Sequence, residues 1–279
     1  LSDTISISQC QTRLRFAAYL CSQGVRTLAP VLSQNNNVLE TISFQGKHYF
    51  AFAWQKVAGK PLQDEHPRHL QDFYLSWGKT LGQMHLLSST SQDFCADSIS
   101  SANPVPHWSH EWKHFYHWIG KDKISNTWQQ VYEQLLNYPQ TKANFGMIHN
   151  DLHPKNMLID DHGFTIIDFD VACCHWFVLD IAICIYSEYS RIGFHSQHRI
   201  PKEELFDLFL IPFLKGYHYC FRLPHDEYEN IEFWLNYRRI IMYTVFYEQI
   251  KAANPAYLDR FQNDIYTWQP FLDRKLALV

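Results

Sequence analysis

One run, Met147 to Asp170, restricts this chain more than any other. It reads Met-Ile-His-Asn-Asp-Leu-His-Pro-Lys-Asn-Met-Leu-Ile-Asp-Asp-His-Gly-Phe-Thr-Ile-Ile-Asp-Phe-Asp. Two short apolar stretches, Met157-Leu158-Ile159 and Phe164-Thr165-Ile166-Ile167, flank Asp160-Asp161-His162-Gly163. Asp, His and Gly suit a tight turn, so the run predicts a β-hairpin with Asp160 and Asp161 as turn residues. A hairpin brings its two ends together. Asn156 precedes the first strand and Asp168 follows the second, so both belong to the same end.

That juxtaposition has a chemical use. Mg²⁺ takes oxygen ligands, commonly one or two from the protein, with phosphates and waters completing the shell. Asn156 and Asp168 can supply those two. Asp151, on the loop before the hairpin, can accept a proton from an attacking hydroxyl. These are the parts that phosphoryl transfer needs, because positioning and charge neutralisation carry most of that catalysis. A rival reading takes His149, Asp151 and His153 as metal ligands of a hydrolase. It leaves Asn156 and Asp168 unexplained.

His149-x-Asp151 with Asn156, followed by Asp168-Phe169-Asp170, resembles the catalytic and metal-binding loops of the aminoglycoside phosphotransferase and choline kinase family. That family shares the protein-kinase fold. Its usual form is close to His-Gly-Asp-x-His-x-x-Asn, and His153 matches the second histidine. Eukaryotic protein kinases usually carry Lys where this chain has His153, and Gly where it has Asp170. Asn150 replaces the usual Gly, and Asn accepts unusual backbone angles better than most residues. The resemblance implies that Asp151 is the general base and that Asn156 and Asp168 hold Mg²⁺. It implies that Asp170 assists a second ion or positions a neighbour, and that His149 and His153 order the loop. Asp180, in Asp180-Ile181-Ala182, matches a family Asp-Leu-Ala and is expected to bond the backbone of the catalytic loop.

Composition bounds the rest. With 279 residues and 46% hydrophobic content the chain can bury a large core. A formal charge of -4 argues against a general nucleic-acid binder. The seven cysteines show no zinc-type spacing and read as reduced thiols of a cytoplasmic protein. No apolar stretch reaches the roughly 18 residues of a membrane span, and no signal-peptide pattern opens the chain.

Ser8 to Gln23 reads as a helix closed by Gly24. An Asn-rich turn at Asn35 to Asn37, a strand from Val38 to Ile42, a turn at Gln45-Gly46 and a buried strand from Tyr49 to Trp54 follow. By resemblance this is the back half of a kinase N-lobe, with Gln55, Lys56 and Val57 in the hinge, where backbone groups hold adenine. No Gly-rich loop is present. The family's ATP-contacting lysine strand is expected upstream of Leu1, and Arg13 takes roughly the place of the helix Glu that partners it. Leu70 to Leu87 is an amphipathic helix in which His85 reads as a packed core histidine. Ser88 to Pro106 reads as a loop, and Trp108, Trp112, Phe115 and Trp118 as one aromatic face. Helices are expected over Ile124 to Tyr138, Val178 to Tyr189, Glu203 to Tyr219, Asp226 to Lys251 and Pro255 to Trp268. Glu188, Asp226, Glu227, Glu229, Glu232 and Glu248 lie among Trp234, Tyr237, Tyr243 and Tyr247 in these last helices. Acidic and aromatic groups together suit a cationic acceptor, although a solvated face over an aromatic core has the same pattern.

The expected fold is therefore α+β: a protein-kinase-like two-lobe fold with a partial N-lobe (1–57) and a helical C-lobe (58–279). The expected function is transfer of the γ-phosphoryl of Mg·ATP to a hydroxyl of a small molecule, with no nucleic-acid or membrane partner. The alternatives are a non-catalytic kinase-like binding module and a bacterial Ser/Thr protein kinase of the same fold.

Overall fold

A computed structural model describes residues 6–62, 70–91, 94–95, 105–110, 124–192 and 199–276. The first helix, α1 (Ile7–Ser22), starts at a capping box. The Gln9 backbone N–H donates to the Ser6 hydroxyl at 3.2 Å, and the Ser6 N–H donates to the Gln9 side chain at 3.1 Å. Gly24 follows its end with φ +85°, a left-handed conformation that glycine adopts without a Cβ penalty. Leu14, Phe16, Ala17 and Leu20 form the buried side of α1.

The next strands are short. β1 (Pro30–Val31) pairs with β4 (Ala53–Trp54), and β2 (Glu40–Phe44) pairs with β3 (Lys47–Ala51). Gln45 and Gly46 both have positive φ, 50° and 73°, as a two-residue hairpin turn requires. The expected buried strand from Tyr49 to Trp54 is not what the structure holds. Tyr49 is 47% exposed, and its pairing partner Ile42 is 49% exposed. Among the described residues no third strand pairs with this hairpin, so its outer face stays open. Only Phe50, Phe52 and Trp54 lean inward, onto Cys10, Leu14 and Leu39.

The chain then crosses to the helical lobe. β5 (Lys60–Pro61) pairs with β7 (Met157–Asp160), which pairs in turn with β8 (Gly163–Ile166). β7 and β8 are the predicted hairpin, and the register Asp160↔Gly163 leaves Asp161-His162 as its turn. Asp160 does more than turn: it forms an ion pair with Arg26 at 2.7 Å. β6 (Phe145–Ile148) pairs with β9 (Cys173–Trp176).

The helical lobe comprises α2 (Gln71–Thr90), α3 (Ser125–Asn137) and α4 (Phe177–Ser190). After α5 (Lys202–Leu205), a π-helical stretch (Phe206–Leu210) runs into α6 (Ile211–Cys220). Then come α7 (His225–Glu229), α8 (Ile231–Ala253) and α9 (Pro255–Tyr266). α2 and α6 pack with their backbones nearly touching. A Cβ on Gly78 would lie 1.8 Å from the Phe213 carbonyl oxygen, and one on Gly216 would lie 2.0 Å from that of Leu75. The main core includes α4 almost whole, with Phe177 to Tyr186 buried. Of the predicted aromatic face, Trp108 is buried; Trp112, Phe115 and Trp118 lie outside the described residues. Ser88 to Thr90 belong to α2 rather than to the expected loop.

The cysteines correct the expectation of seven thiols. Cys95 and Cys174 form a disulfide across 79 residues, with Cα atoms 5.9 Å apart. The β6–β9 pairing places Cys174 opposite Met147 in the buried interior, and Phe94-Cys95 packs over it. Cys10, Cys21, Cys184 and Cys220 are free thiols. No helix among the described residues is long and apolar enough to cross a membrane.

Candidate active site

The loop from His149 to Asn156 leaves the end of β6 and enters the β7–β8 hairpin. Its first turn is fixed from below by Asp180, in the first turn of α4. The Asp180 carboxylate is fully buried. It accepts the backbone N–H of Asn150 on Oδ1 at 2.7 Å and that of His149 on Oδ2 at 3.0 Å. His85 also reaches Oδ2, from Nε2 at 3.2 Å. Because a carboxylate only accepts, His85 carries its proton on Nε2, and its Nδ1 receives the Tyr217 hydroxyl at 2.8 Å. A buried carboxylate is tolerable only with such donors. Burial pushes the His85 imidazole below its ordinary value, with Asp180 opposing. His85 is thus packed in the core, and it also orients the residue that holds the loop.

Asn150 has φ +67°. Its side-chain amide donates to the Val171 carbonyl at 3.2 Å, which helps keep a non-glycine residue in that conformation. His149 is fully buried and joins two loops. Its Nε2 donates to the Ile167 carbonyl at 3.0 Å, and its Nδ1 accepts the Asp151 N–H at 3.3 Å. With both nitrogens engaged, His149 cannot serve as a metal ligand. Among the described residues no group of three or more His, Cys, Asp or Glu side chains has metal-site geometry. The hydrolase reading therefore lacks its site.

Asp151 stands at the mouth of the loop, its side chain 31% exposed. Its Oδ1 accepts Arg238 Nη2 at 2.6 Å, and its Oδ2 lies 3.4 Å from His153 Nε2. Burial alone would raise its pKa. The His153 hydrogen bond and the Arg238 charge outweigh burial and hold the carboxyl well below the usual range. His153 also accepts the Lys155 N–H on Nδ1, capping the short 3₁₀ turn Pro154–Asn156. Arg238 is the residue that the sequence reading missed. It sits on α8, 87 positions from Asp151, inside a helix that is otherwise largely aromatic and apolar. The signal was present but faint: Arg238-Arg239 is a charged pair in the middle of a buried run.

Asn156 donates its side-chain NH₂ to the Asp151 carbonyl at 3.0 Å, which leaves Oδ1 as the group able to face a cation. Asp168 follows β8 with φ +68°, and its carboxylate is exposed. The Asp170 N–H lies 3.5 Å from Asp168 Oδ1. Burial and the neighbouring Asp168 charge raise the Asp170 carboxyl above its ordinary value, and Arg13 partly offsets them. The Ile167 N–H donates to the Asn156 carbonyl at 3.0 Å, so the backbone brings Asn156 next to the segment that carries Asp168 and Asp170, and carboxylate and amide oxygens are the donor types a divalent cation takes. Phe169, between the two, packs inward on His149 (ring centroids 4.6 Å apart) and on Phe16 of α1 (6.1 Å). Arg13 donates from Nε to the Ala172 carbonyl at 3.0 Å. A small cleft opens here, lined by Cys10, Arg13, Leu14, Phe52, Trp54, Phe169 and Asp170.

Gln55, Lys56 and Val57 lie between β4 and β5. Gln55 donates its backbone N–H to the Ala29 carbonyl at 3.0 Å, so that donor is already used. Three of the six carboxylates named for a cationic acceptor are engaged within the fold. Glu188 accepts Tyr74 and Arg191, and Glu227 accepts Asn144 and Tyr138. Glu232 accepts the N–H groups of Phe271 and Leu272. Trp234, Tyr237 and Tyr243 belong to the core.

Known proteins resemble this chain in sequence and in fold. Amicoumacin kinase of Bacillus subtilis (strain 168) is 26% identical over 214 residues, 73% of this chain; the match covers 59% of that relative's length. The structure of amicoumacin kinase hAmiN in complex with AMP-PNP, Ca²⁺ and Ami superposes with a TM-score of 0.81 at 22% identity. It covers 96% of this chain and 80% of that one. A microcompartment-associated aminopropanol kinase gives a TM-score of 0.65 at 16% identity over 88% of this chain and 74% of its own. Spectinomycin phosphotransferase in complex with ADP and spectinomycin gives 0.54 at 15%, over 92% and 77%. These likenesses establish the kinase-like fold. The model of the phosphotransferase enzyme family matches residues 6–233, and the chain belongs to that family.

Proposed function

We propose that this chain is an ATP- and Mg²⁺-dependent phosphotransferase that moves the γ-phosphoryl group to a hydroxyl of a small molecule. One observation carries the reading: Asp180 clamps the loop that presents Asp151, while the hairpin delivers Asn156 and Asp168 to the same end. Membership of the phosphotransferase enzyme family supports it.

Asp151 accepts a hydrogen bond from the acceptor hydroxyl and aims its oxygen at the γ-phosphorus. The new O–P bond forms as the bond to the β-phosphate oxygen breaks, and the hydroxyl proton passes to Asp151. A carboxyl held so acidic orients the nucleophile and takes its proton late, which suits a loose transition state. Asn156 Oδ1 and the Asp168 carboxylate hold the metal, with Asp170 beside them. Mg²⁺ supplies neutralisation of the phosphate charge when bound. His149 and His153 keep Asp151 in place. The backbone of Lys56 and Val57 offers the adenine contacts, since the Gln55 N–H is taken.

One feature favours a non-catalytic binding module. Arg13 stands on α1 roughly where the family resemblance places an acidic residue, and it bonds the Ala172 carbonyl. ADP release separates the two readings. With amicoumacin, spectinomycin and 1-amino-2-propanol among the acceptors, an enzyme releases ADP in step with at least one acceptor, and Asp151→Asn abolishes the release. A protein that binds Mg·ATP but releases no ADP with any acceptor is a binding module.

A further inference from the structure

The charged group beside Asp151 on α8 is an arginine. Arg238 is nine-tenths buried, and among the described residues its one hydrogen-bond partner is Asp151. Its Nε–H is buried and has no acceptor. The adjacent Arg239 differs. Its guanidinium donates to Asn236 Oδ1 and to the carbonyls of Asp264 and Gln269, so it ties α8 to the C-terminal segment. Arg238 has no such structural employment. It approaches Asp151 from α8, whereas the metal-ligand candidates Asn156 and Asp168 approach from the hairpin. On the phosphotransferase reading, with the nucleotide on the side of Asn156 and Asp168, the acceptor meets Asp151 on the side of Arg238.

This placement limits what can sit next to the reacting hydroxyl. Oδ1 has two lone pairs and can receive Arg238 and the hydroxyl together. A hydroxyl at an ordinary hydrogen-bond distance of about 2.7 Å from Oδ1 puts its neighbouring carbon's substituent within reach of the guanidinium. That substituent meets a desolvated fork of N–H donors carrying positive charge. A carbonyl or carboxylate oxygen answers both the charge and the unpartnered donor. An ammonium answers neither and is repelled.

Building on the phosphotransferase reading, we infer that Arg238 selects the acceptor. It favours a hydroxyl whose adjacent carbon bears a carbonyl or carboxylate oxygen, and it excludes an ammonium from that position.

A matched pair of acceptors tests this: 2-hydroxypropanamide and 1-amino-2-propanol, with the N-benzyl form of each. They share a skeleton and a secondary hydroxyl, and they differ in the group next to it. ADP release is measured for the wild type, Arg238→Gln and Arg238→Lys, and Mg·ATP binding is followed separately by thermal shift. The wild type should prefer the hydroxy amides by about tenfold or more in kcat/KM, as expected where a buried donor would be left unpaired. Arg238→Gln should raise the KM for the amides and bring the ratio near one, with the Mg·ATP shift unchanged. Arg238→Lys should keep the discrimination against the ammonium but lose part of the gain with the amide.

Three results would overturn the proposal. The wild type could prefer the amino alcohols. It could bind Mg·ATP yet phosphorylate none of the hydroxy amides. Or Arg238→Gln could lower kcat equally for both series at an unchanged ratio, which would leave Arg238 only holding Asp151 in place. A wild type that gives no Mg·ATP shift at all contradicts the phosphotransferase reading itself.

Discussion

Asp180 Oδ1 accepts the backbone N–H of Asn150 at 2.7 Å across 30 residues of sequence. The same carboxylate takes the His149 N–H, so two consecutive peptide groups are pinned to one side chain. A loop held this way presents Asp151 in one orientation without using Asp151 itself. Asp180→Ala removes both acceptors and strands the His85 Nε2–H. Breaking a buried charged network of this kind costs about 3–5 kcal/mol. The urea midpoint should fall accordingly, and ADP release by the remaining folded protein should drop by about a hundredfold, as misplacing a reacting group does. Unchanged turnover at a lowered midpoint would confine Asp180 to stability.

Four buried histidines set the response to acid. Burial lowers His85, His149 and His175 below their ordinary values, and it lowers His107 to about 4. Each is neutral in the fold and takes a proton on unfolding. Their contribution is fully present above the unfolded value, about 6.5, and is lost as pH falls toward the folded values. Glu227 and Asp170, raised mainly by burial, act in the opposite sense over the acidic range. The histidines therefore dominate above pH 4, and the unfolding free energy from urea titrations should decline steadily between pH 6.5 and pH 4, by up to about 1.4 kcal/mol per pH unit for each histidine. His107→Gln should flatten that slope. A flat wild-type profile would contradict the buried neutral state.

Gly78 and Gly216 let α2 and α6 approach without side chains between them. At Gly78 the obstacle is a backbone carbonyl, 1.8 Å from where a Cβ would stand, so no rotamer change relieves it. Gly78→Ala should destabilise by about 1–3 kcal/mol or more through overpacking, despite the better helix propensity of Ala. The same substitution at Gly24, where nothing lies within 4 Å, should cost only its left-handed backbone strain, about 1–2 kcal/mol. Equal urea midpoints for wild type and Gly78→Ala would contradict the close approach.

The candidate site was legible in the sequence where its chemistry was contiguous. His149 to Asp170 carries a loop, a hairpin and two acidic positions in one stretch, and the hairpin forms with the expected turn. Helix periodicity likewise located α1, α2 and α4, because one face of each is buried. Arg238 was hidden because its partner is 87 positions away, and an arginine in an aromatic helix resembles a snorkelling surface residue. The Cys95–Cys174 pair was hidden for the same reason: cysteine counts do not give connectivity. Tyr49 misled because an apolar strand predicts a covered face only if another strand or helix covers it. Glu188, Glu227 and Glu232 hold structural hydrogen bonds, a role that composition alone does not distinguish from contact with a ligand.

The central claim is that Asn156 and Asp168 hold a metal ion that the nucleotide needs. The most direct measurement is the thermal shift with Mg·ATP, and with ATP plus EDTA, for the wild type and Asp168→Asn. At about a hundred times its dissociation constant a ligand stabilises by about 2.7 kcal/mol, which is readily seen. The account predicts a shift in the wild type that requires Mg²⁺ and disappears in Asp168→Asn. A shift that persists with EDTA, or one that Asp168→Asn retains in full, would contradict it.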